Sequence, residues 1–193
     1  LNSIQSYILT HDTEMAVTYL GKFSQLMRLI LANSGNNYVM LKEELNAITH
    51  YLDLEKLRFD NKFDYSINLD HIIDTEFIEI PPMVIQPYIE NAIIHGILHK
   101  TSRGNIKIDF ALRGRNIHCT IIDNGIGREK SAELKEKAGI KRRSSGMYIT
   151  KARLEMLNKE NDEEFSVRIT DLKDDEGKTS GTKVELIIHY NED

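Results

Sequence analysis

The chain has 193 residues, 40% of them hydrophobic and 28% charged, with a formal net charge of -5. That is the composition of an ordinary globular protein, long enough for one domain or one domain and part of a second. The excess of 30 acidic over 25 basic residues argues against nucleic acid as the main partner. The single cysteine, Cys119, excludes an internal disulfide framework and a cysteine-rich metal site. No apolar run approaches the roughly 18 residues needed to cross a bilayer. The chain starts at Leu1, in what reads as the middle of a helix, so we expect a fragment of a longer protein.

The only three prolines, Pro81, Pro82 and Pro87, divide the chain. Ahead of them the spacing is helical. Leu20, Phe23, Met27, Ile30 and Leu31 fall on one stripe, which the turn cluster Asn33-Ser-Gly-Asn-Asn37 stops. A second helix is predicted over about 41–59, with Leu41, Leu45, Ile48, Leu52 and Leu57 on one side. Two long helices joined by a short turn predict an antiparallel hairpin. From Phe63 to Leu69 the pattern alternates as in a half-buried strand.

Pro82 suits the first turn of a helix reaching about Leu98. Strands are predicted near 105–112 and 116–123, joined by a hairpin turn at Arg113-Gly114-Arg115. Residues 124–145 show no clear period; a helix over about 145–159 and strands near 164–171 and 182–190 follow. The layout predicts a two-layer α+β sandwich preceded by a helical hairpin, with a helical region over 1–62 and a mixed domain over 63–193.

Four segments interrupt this pattern with chemistry. In Pro87-Tyr-Ile-Glu90-Asn91-Ala-Ile-Ile-His95-Gly96, Asn91 and His95 are four apart and share a helix face, and such polar groups need partners. A satisfied core network explains them equally well. In Ile121-Ile-Asp123-Asn-Gly125-Ile-Gly127, an apolar strand delivers a carboxylate to its end, followed by glycines that let backbone approach a ligand. Taken alone, Asp-Asn-Gly reads as a tight turn. Ser144-Ser-Gly146-Met-Tyr148 opens the helix after 145, as caps or as phosphate-binding N–H groups, and Gly181-Thr182 precedes the last strand.

In order and spacing these four segments resemble the N box and three glycine boxes of the ATP-binding domain of histidine kinases, in the Bergerat-fold superfamily with gyrase B and MutL. Leu1-Asn-Ser-Ile4 and Tyr51-Leu-Asp-Leu-Glu55-Lys-Leu-Arg58-Phe59 resemble the helical region of the LytS-like sensor kinases. There the phosphoacceptor histidine lies just ahead of the Leu-Asn-Ser-Ile stretch, so the resemblance places it upstream of Leu1. His11, followed by Asp12, is the one internal alternative, and it lacks the proline expected soon after.

The resemblance implies ATP and Mg²⁺ as cofactors, and phosphoryl transfer to the upstream histidine and thence to a response regulator. It implies that Asp123 accepts from the adenine amine, that Asn91 holds Mg²⁺, and that Glu90 orients or deprotonates the acceptor imidazole. His95 would contact phosphate or brace the box, while Gly125, Gly127, Gly146 and Thr182 shape the pocket. Residues 128–145 would form the ATP lid, with Lys141, Arg142 and Arg143 meeting phosphate charge. The same resemblance implies a homodimer, and a cytoplasmic domain of a membrane protein whose spans lie outside these residues.

Tyr148 departs from the family pattern, standing where the second glycine box usually has its second glycine. It favours the alternative of a nucleotide-binding regulatory module without kinase activity. A clamp-driving ATPase is a third possibility, disfavoured by a helical hairpin that precedes the domain.

Overall fold

The computed structural model describes residues 13–137 and 165–192. The hairpin forms from α1 (Thr13–Asn33) and α2 (Leu41–Arg58). Helix α2 buries Leu41, Ile48 and Leu52, three of the residues its spacing selects, and half-buries Leu45 and Leu57. Helix α1 carries two overlapping apolar stripes, and the core covers only part of the one formed by Leu20, Phe23, Met27, Ile30 and Leu31. Ala16, Tyr19 and Leu26 are buried and Phe23 and Ile30 half-buried, whereas Leu20, Met27 and Leu31 face outward, Leu31 at 66% exposure. Both stripes satisfy the 3.6-residue period, so only the position of α2 selects between them.

The strands of the main sheet fall close to the predicted positions. β2 (Phe63–Leu69) pairs in parallel with β4 (Gly104–Arg113), which pairs antiparallel with β5 (Asn116–Asp123). Next come β7 (Thr179–His189) and β6 (Ser166–Lys173), giving a five-stranded sheet in the order β2-β4-β5-β7-β6. Gly114, at φ +59°, makes the β4–β5 turn. One face of the sheet presents Ile106, Ile108, Phe110, Ile117, Cys119, Ile121, Leu186 and Ile188. These pack in one apolar cluster with Ile85, with Ile89, Ile93 and Ile97 of the central helical segment, and with the buried residues of α2. The mixed two-layer α+β architecture with its preceding hairpin is therefore the one expected.

A small second sheet had no signal in the sequence. β1 (Val39–Met40) and β8 (Asn191–Glu192) both pair antiparallel with β3 (Ile78–Ile80). Strands of two or three residues are too short to show a period.

The central helical segment starts later than predicted. Helix α3 spans Gln86–Asn91, with Pro87 in its first turn, and continues as a π-helical segment over Ala92–Ile97. Residues 81–85 stay outside it because Met83 sits at φ +61°, a left-handed conformation incompatible with a helix. The Met83 N–H instead donates to Glu44 Oε2 on α2 at 2.9 Å, and Glu44 is only 2% exposed. The stretch after residue 124 contains a helix the sequence reading missed, α4 (Arg128–Lys137). The predicted helix over about 145–159 lies outside the described residues.

Glu44 thus fixes the entry to α3 from a different helix. Replacing it with alanine leaves a part-buried N–H donor without its acceptor, a loss of about 1–3 kcal/mol in denaturant unfolding, while Glu44→Gln, which retains an acceptor oxygen, loses less. Equal stability of Glu44→Ala and the parent chain would contradict this role.

Candidate active site

The segments singled out in the sequence converge at one end of the sheet. Strand β5 ends at Asp123, whose side chain is 4% exposed. Its Oδ1 accepts from the Gly125 N–H at 2.8 Å, and the backbone N–H of Thr182 on β7 also donates to the carboxylate. Burial nevertheless dominates and pushes the Asp123 carboxyl up to about 6, with the N–H donors and Lys100 pulling the other way.

Glycines pack tightly round this carboxylate. A Cβ on Gly125 would lie 2.5 Å from backbone atoms of Gly96, and one on Gly96 would lie 2.9 Å from Asp123 Oδ1. Gly181, at φ +144°, passes so close to the Asp123 carbonyl that any Cβ would overlap it. The Ile126 N–H donates to the Gly96 carbonyl at 3.2 Å, tying the loop after β5 to the helical segment.

The π turn lets Gly96 reach that loop. The Leu98 N–H bonds to Ile93 O at 3.0 Å, five residues back, so the turn holds one more residue than an α turn. Asn91, at the junction, donates through its amide nitrogen to Pro87 O at 2.6 Å. Its oxygen is the atom left to accept or coordinate.

These residues line a cavity of about 270 Å³. Of the predicted site residues, Asn91, His95, Asp123, Gly127 and Thr182 border it, and Gly125 supports Asp123 from behind. Glu90 does not border it. It is exposed, and it lies near enough to α2 that, after burial and Glu55, its charge helps to push the Tyr51 phenol up. Arg143, Gly146, Lys141, Arg142, Tyr148 and His11 lie outside the described residues.

The sequence reading missed several of the cavity's walls. Tyr88 and Ala92 come from the central helical segment, Ile169 from β6 and Val184 from β7. Arg128, Ser131 and Ala132 come from α4, inside the 128–145 segment expected as a lid but not singled out there one by one. Arg128 directly follows the second glycine of Gly125-Ile-Gly127, a position that could have drawn attention; the apolar wall residues look like any core positions.

A family model described as histidine kinase matches residues 1–63. Sensor protein LytS of Oceanobacillus iheyensis is 36% identical over 124 residues, which is 64% of this chain and 21% of that protein. Sensor protein kinase HptS of Staphylococcus aureus is 33% identical over 132 residues, 67% of this chain and 24% of that protein. The chain is a homologue of the LytS and HptS sensor histidine kinases. It spans less than a quarter of either relative's length.

Solved structures agree on the fold. The catalytic domain of histidine kinase ThkA superposes with a TM-score of 0.50 at 15% identity, covering 81% of this chain and 97% of that one. The mycobacterial sensor histidine kinase MprB gives 0.52 at 11% identity, covering 81% and 98%. The α+β layers around the cavity are thus those of histidine kinase catalytic domains.

Two predictions follow from this homologue's site geometry. Gly125→Ala drives a methyl group into backbone, whereas Gly96→Ala meets only the tip of a carboxylate. Gly125→Ala therefore costs about 1–3 kcal/mol in unfolding free energy and Gly96→Ala less. The reverse order in urea melts would refute the packing argument.

The second concerns pH. The folded-state pKa of Asp123 is raised above its ordinary value, so the native state binds this proton more tightly than the unfolded chain does. Its stabilisation is fully present below about pH 4 and is lost as pH rises through about 6. Asp123→Asn removes that contribution, and a difference in unfolding free energy between variant and parent that is flat from pH 4 to pH 7 would contradict the raised pKa.

Proposed function

We propose that this chain is the ATP-binding catalytic part of a sensor histidine kinase, with residues 63–193 holding the nucleotide and residues 1–62 contributing to the helical region that presents the acceptor. The observation that carries the reading is the buried carboxylate of Asp123 at the cavity, flanked by Asn91, His95 and Thr182. A buried acceptor at an apolar-walled cavity suits a planar ligand with an exocyclic amine, and adenine is such a ligand. The relatives named as sensor kinases support the reaction.

Asp123 accepts from the adenine amine, and Ile169, Val184 and Ala92 cover the ring. His95 contacts phosphate or braces the central segment. The residues at hand fit Mg²⁺ held sparingly. Among the described residues no group of three His, Cys, Asp or Glu side chains forms a metal cage, and the Asn91 oxygen is a suitable hard donor. Mg²⁺ takes one or two protein oxygens and completes its shell with water and phosphate, so Asn91 is the residue that would hold it. When bound, it neutralises phosphate charge.

In the transfer step the acceptor imidazole nitrogen bonds to the γ-phosphorus, the bond to the β–γ bridging oxygen breaks, and ADP departs. Glu90 orients the imidazole and takes its proton. Its position outside the cavity, on the α2 side of α3, suits a group that meets a second helix rather than the nucleotide. The phosphoryl group then passes to a response regulator. We place the acceptor histidine upstream of Leu1, the working form as a homodimer, and the domain on the cytoplasmic side of a membrane. No described helix is long and apolar enough to cross one. The regulatory-module alternative rests on Tyr148.

Titration calorimetry and labelling with γ-labelled ATP test this reading. Asp123→Asn puts a donor where an acceptor is needed and should weaken Mg-ATP binding roughly ten- to a hundredfold. Asn91→Ala should weaken metal-dependent binding and abolish transfer. Glu90→Ala should bind normally but slow labelling by about 10²–10⁴ in a longer chain that carries the upstream histidine. Equal affinity of the parent chain and Asp123→Asn would remove the central claim. Binding without any transfer in the longer chain would decide for the regulatory module.

A further inference from the structure

Three sides of the cavity are held by the core, and the fourth, α4, is not. Strands β5 and β7 and the central helical segment bury large apolar side chains beneath it. Helix α4 reads Arg-Glu-Lys-Ser-Ala-Glu-Leu-Lys-Glu-Lys, and its one leucine, Leu134, is exposed. Burial supplies little to keep this helix in place, yet Arg128, Ser131 and Ala132 form cavity wall.

A polar contact does supply it. The Arg128 guanidinium meets the Asp171 carboxylate on β6 in a forked arrangement. Nε donates to Oδ1 at 3.0 Å and to Oδ2 at 3.2 Å, and Nη2 donates to Oδ2 at 2.7 Å. The guanidinium holds the Asp171 carboxyl below its ordinary value.

An arginine in the first turn of a helix stands at the positive end of the helix dipole, so helix stability does not account for it. Asp171 is well placed to receive it. Asp171 pairs with Thr182 across β6 and β7, and Thr182 pairs with Asp123 across β7 and β5. The anchor for α4 therefore lies in the same row of the sheet as the carboxylate at the cavity.

We infer that the Arg128–Asp171 pair is a clasp that seats α4 as a wall of the nucleotide cavity, making both residues positioning residues for the ligand. The inference rests on the nucleotide reading above. An exposed fork of this kind adds little to global stability, so its loss appears in ligand binding, where an ordered wall lowers the cost of association.

The test measures Mg-ADP affinity by calorimetry, amide exchange over residues 128–137 and the melting temperature. It uses the parent chain, Arg128→Ala, Asp171→Ala and the reciprocal double variant Arg128→Asp/Asp171→Arg. Each single variant should bind about three- to fivefold more weakly, with faster exchange in α4 and an unchanged melting temperature. The double variant should recover most of the affinity.

The clasp is overturned if Arg128→Ala weakens binding while Asp171→Ala does not, because Arg128 then meets the nucleotide itself. It is also overturned if neither single variant weakens binding, if the double variant fails to recover affinity, or if affinity falls only in step with the melting temperature. A parent chain that binds no Mg-ADP would overturn the nucleotide reading and the clasp together. A parent chain that binds, with variants that bind equally well, overturns the clasp alone.

Discussion

The site depends on one close approach, backbone of the central helical segment against backbone of the loop after β5. Gly96 and Gly125 meet where neither could carry a side chain without displacing something, and Gly181 closes over the Asp123 carbonyl from the third side. The carboxylate is thereby buried yet still served by the N–H groups of Gly125 and Thr182. Burial and these donors oppose each other, and burial prevails, so Asp123 sits nearer to neutrality than an ordinary aspartate. An acceptor in this condition gains from a ligand donor that replaces lost solvation.

That approach requires the irregular helix. An uninterrupted α-helix from Gln86 would advance 100° per residue past Asn91; the π segment over Ala92–Ile97 widens the turn and changes how Gly96 faces the loop. The helix start is set from outside as well, because Glu44 on α2 takes the Met83 N–H. The hairpin and the site are thus mechanically joined. Tyr51 and Glu55 on α2 also lie within electrostatic reach of Glu90, the residue that looks away from the cavity. An arrangement in which one residue of a neighbouring pair faces the cavity and the other faces a helix suits a reaction between a bound nucleotide and a helix-borne group.

Core and polar contacts divide the work. The apolar cluster under the sheet fixes β5, β7 and the central segment, and so fixes the deep end of the cavity. Helix α4 covers one side with hardly any apolar burial among the described residues, and the Arg128–Asp171 fork ties its start to β6. Such a wall can yield without disturbing the core.

The sequence by itself determined the strands, because alternation at Phe63–Leu69, Gly104–Arg113 and Asn116–Asp123 has one consistent reading when one face is buried. It determined helix α2 for the same kind of reason, whereas Asn91, His95, Asp123 and Thr182, which border one cavity, were grouped only by the resemblance to histidine kinase ATP-binding domains. Tertiary structure alone decided which stripe of α1 is buried, since two stripes satisfied the same period and only the position of α2 separates them. It decided that residues 81–85 stay out of the helix, because a partner 39 positions away takes the Met83 N–H. It decided that α4 is a helix and a cavity wall, because what holds it is a partner 43 positions away rather than a pattern within it. Periodicity reports on a segment's own faces; a hydrogen bond or ion pair formed across the fold leaves no period to read.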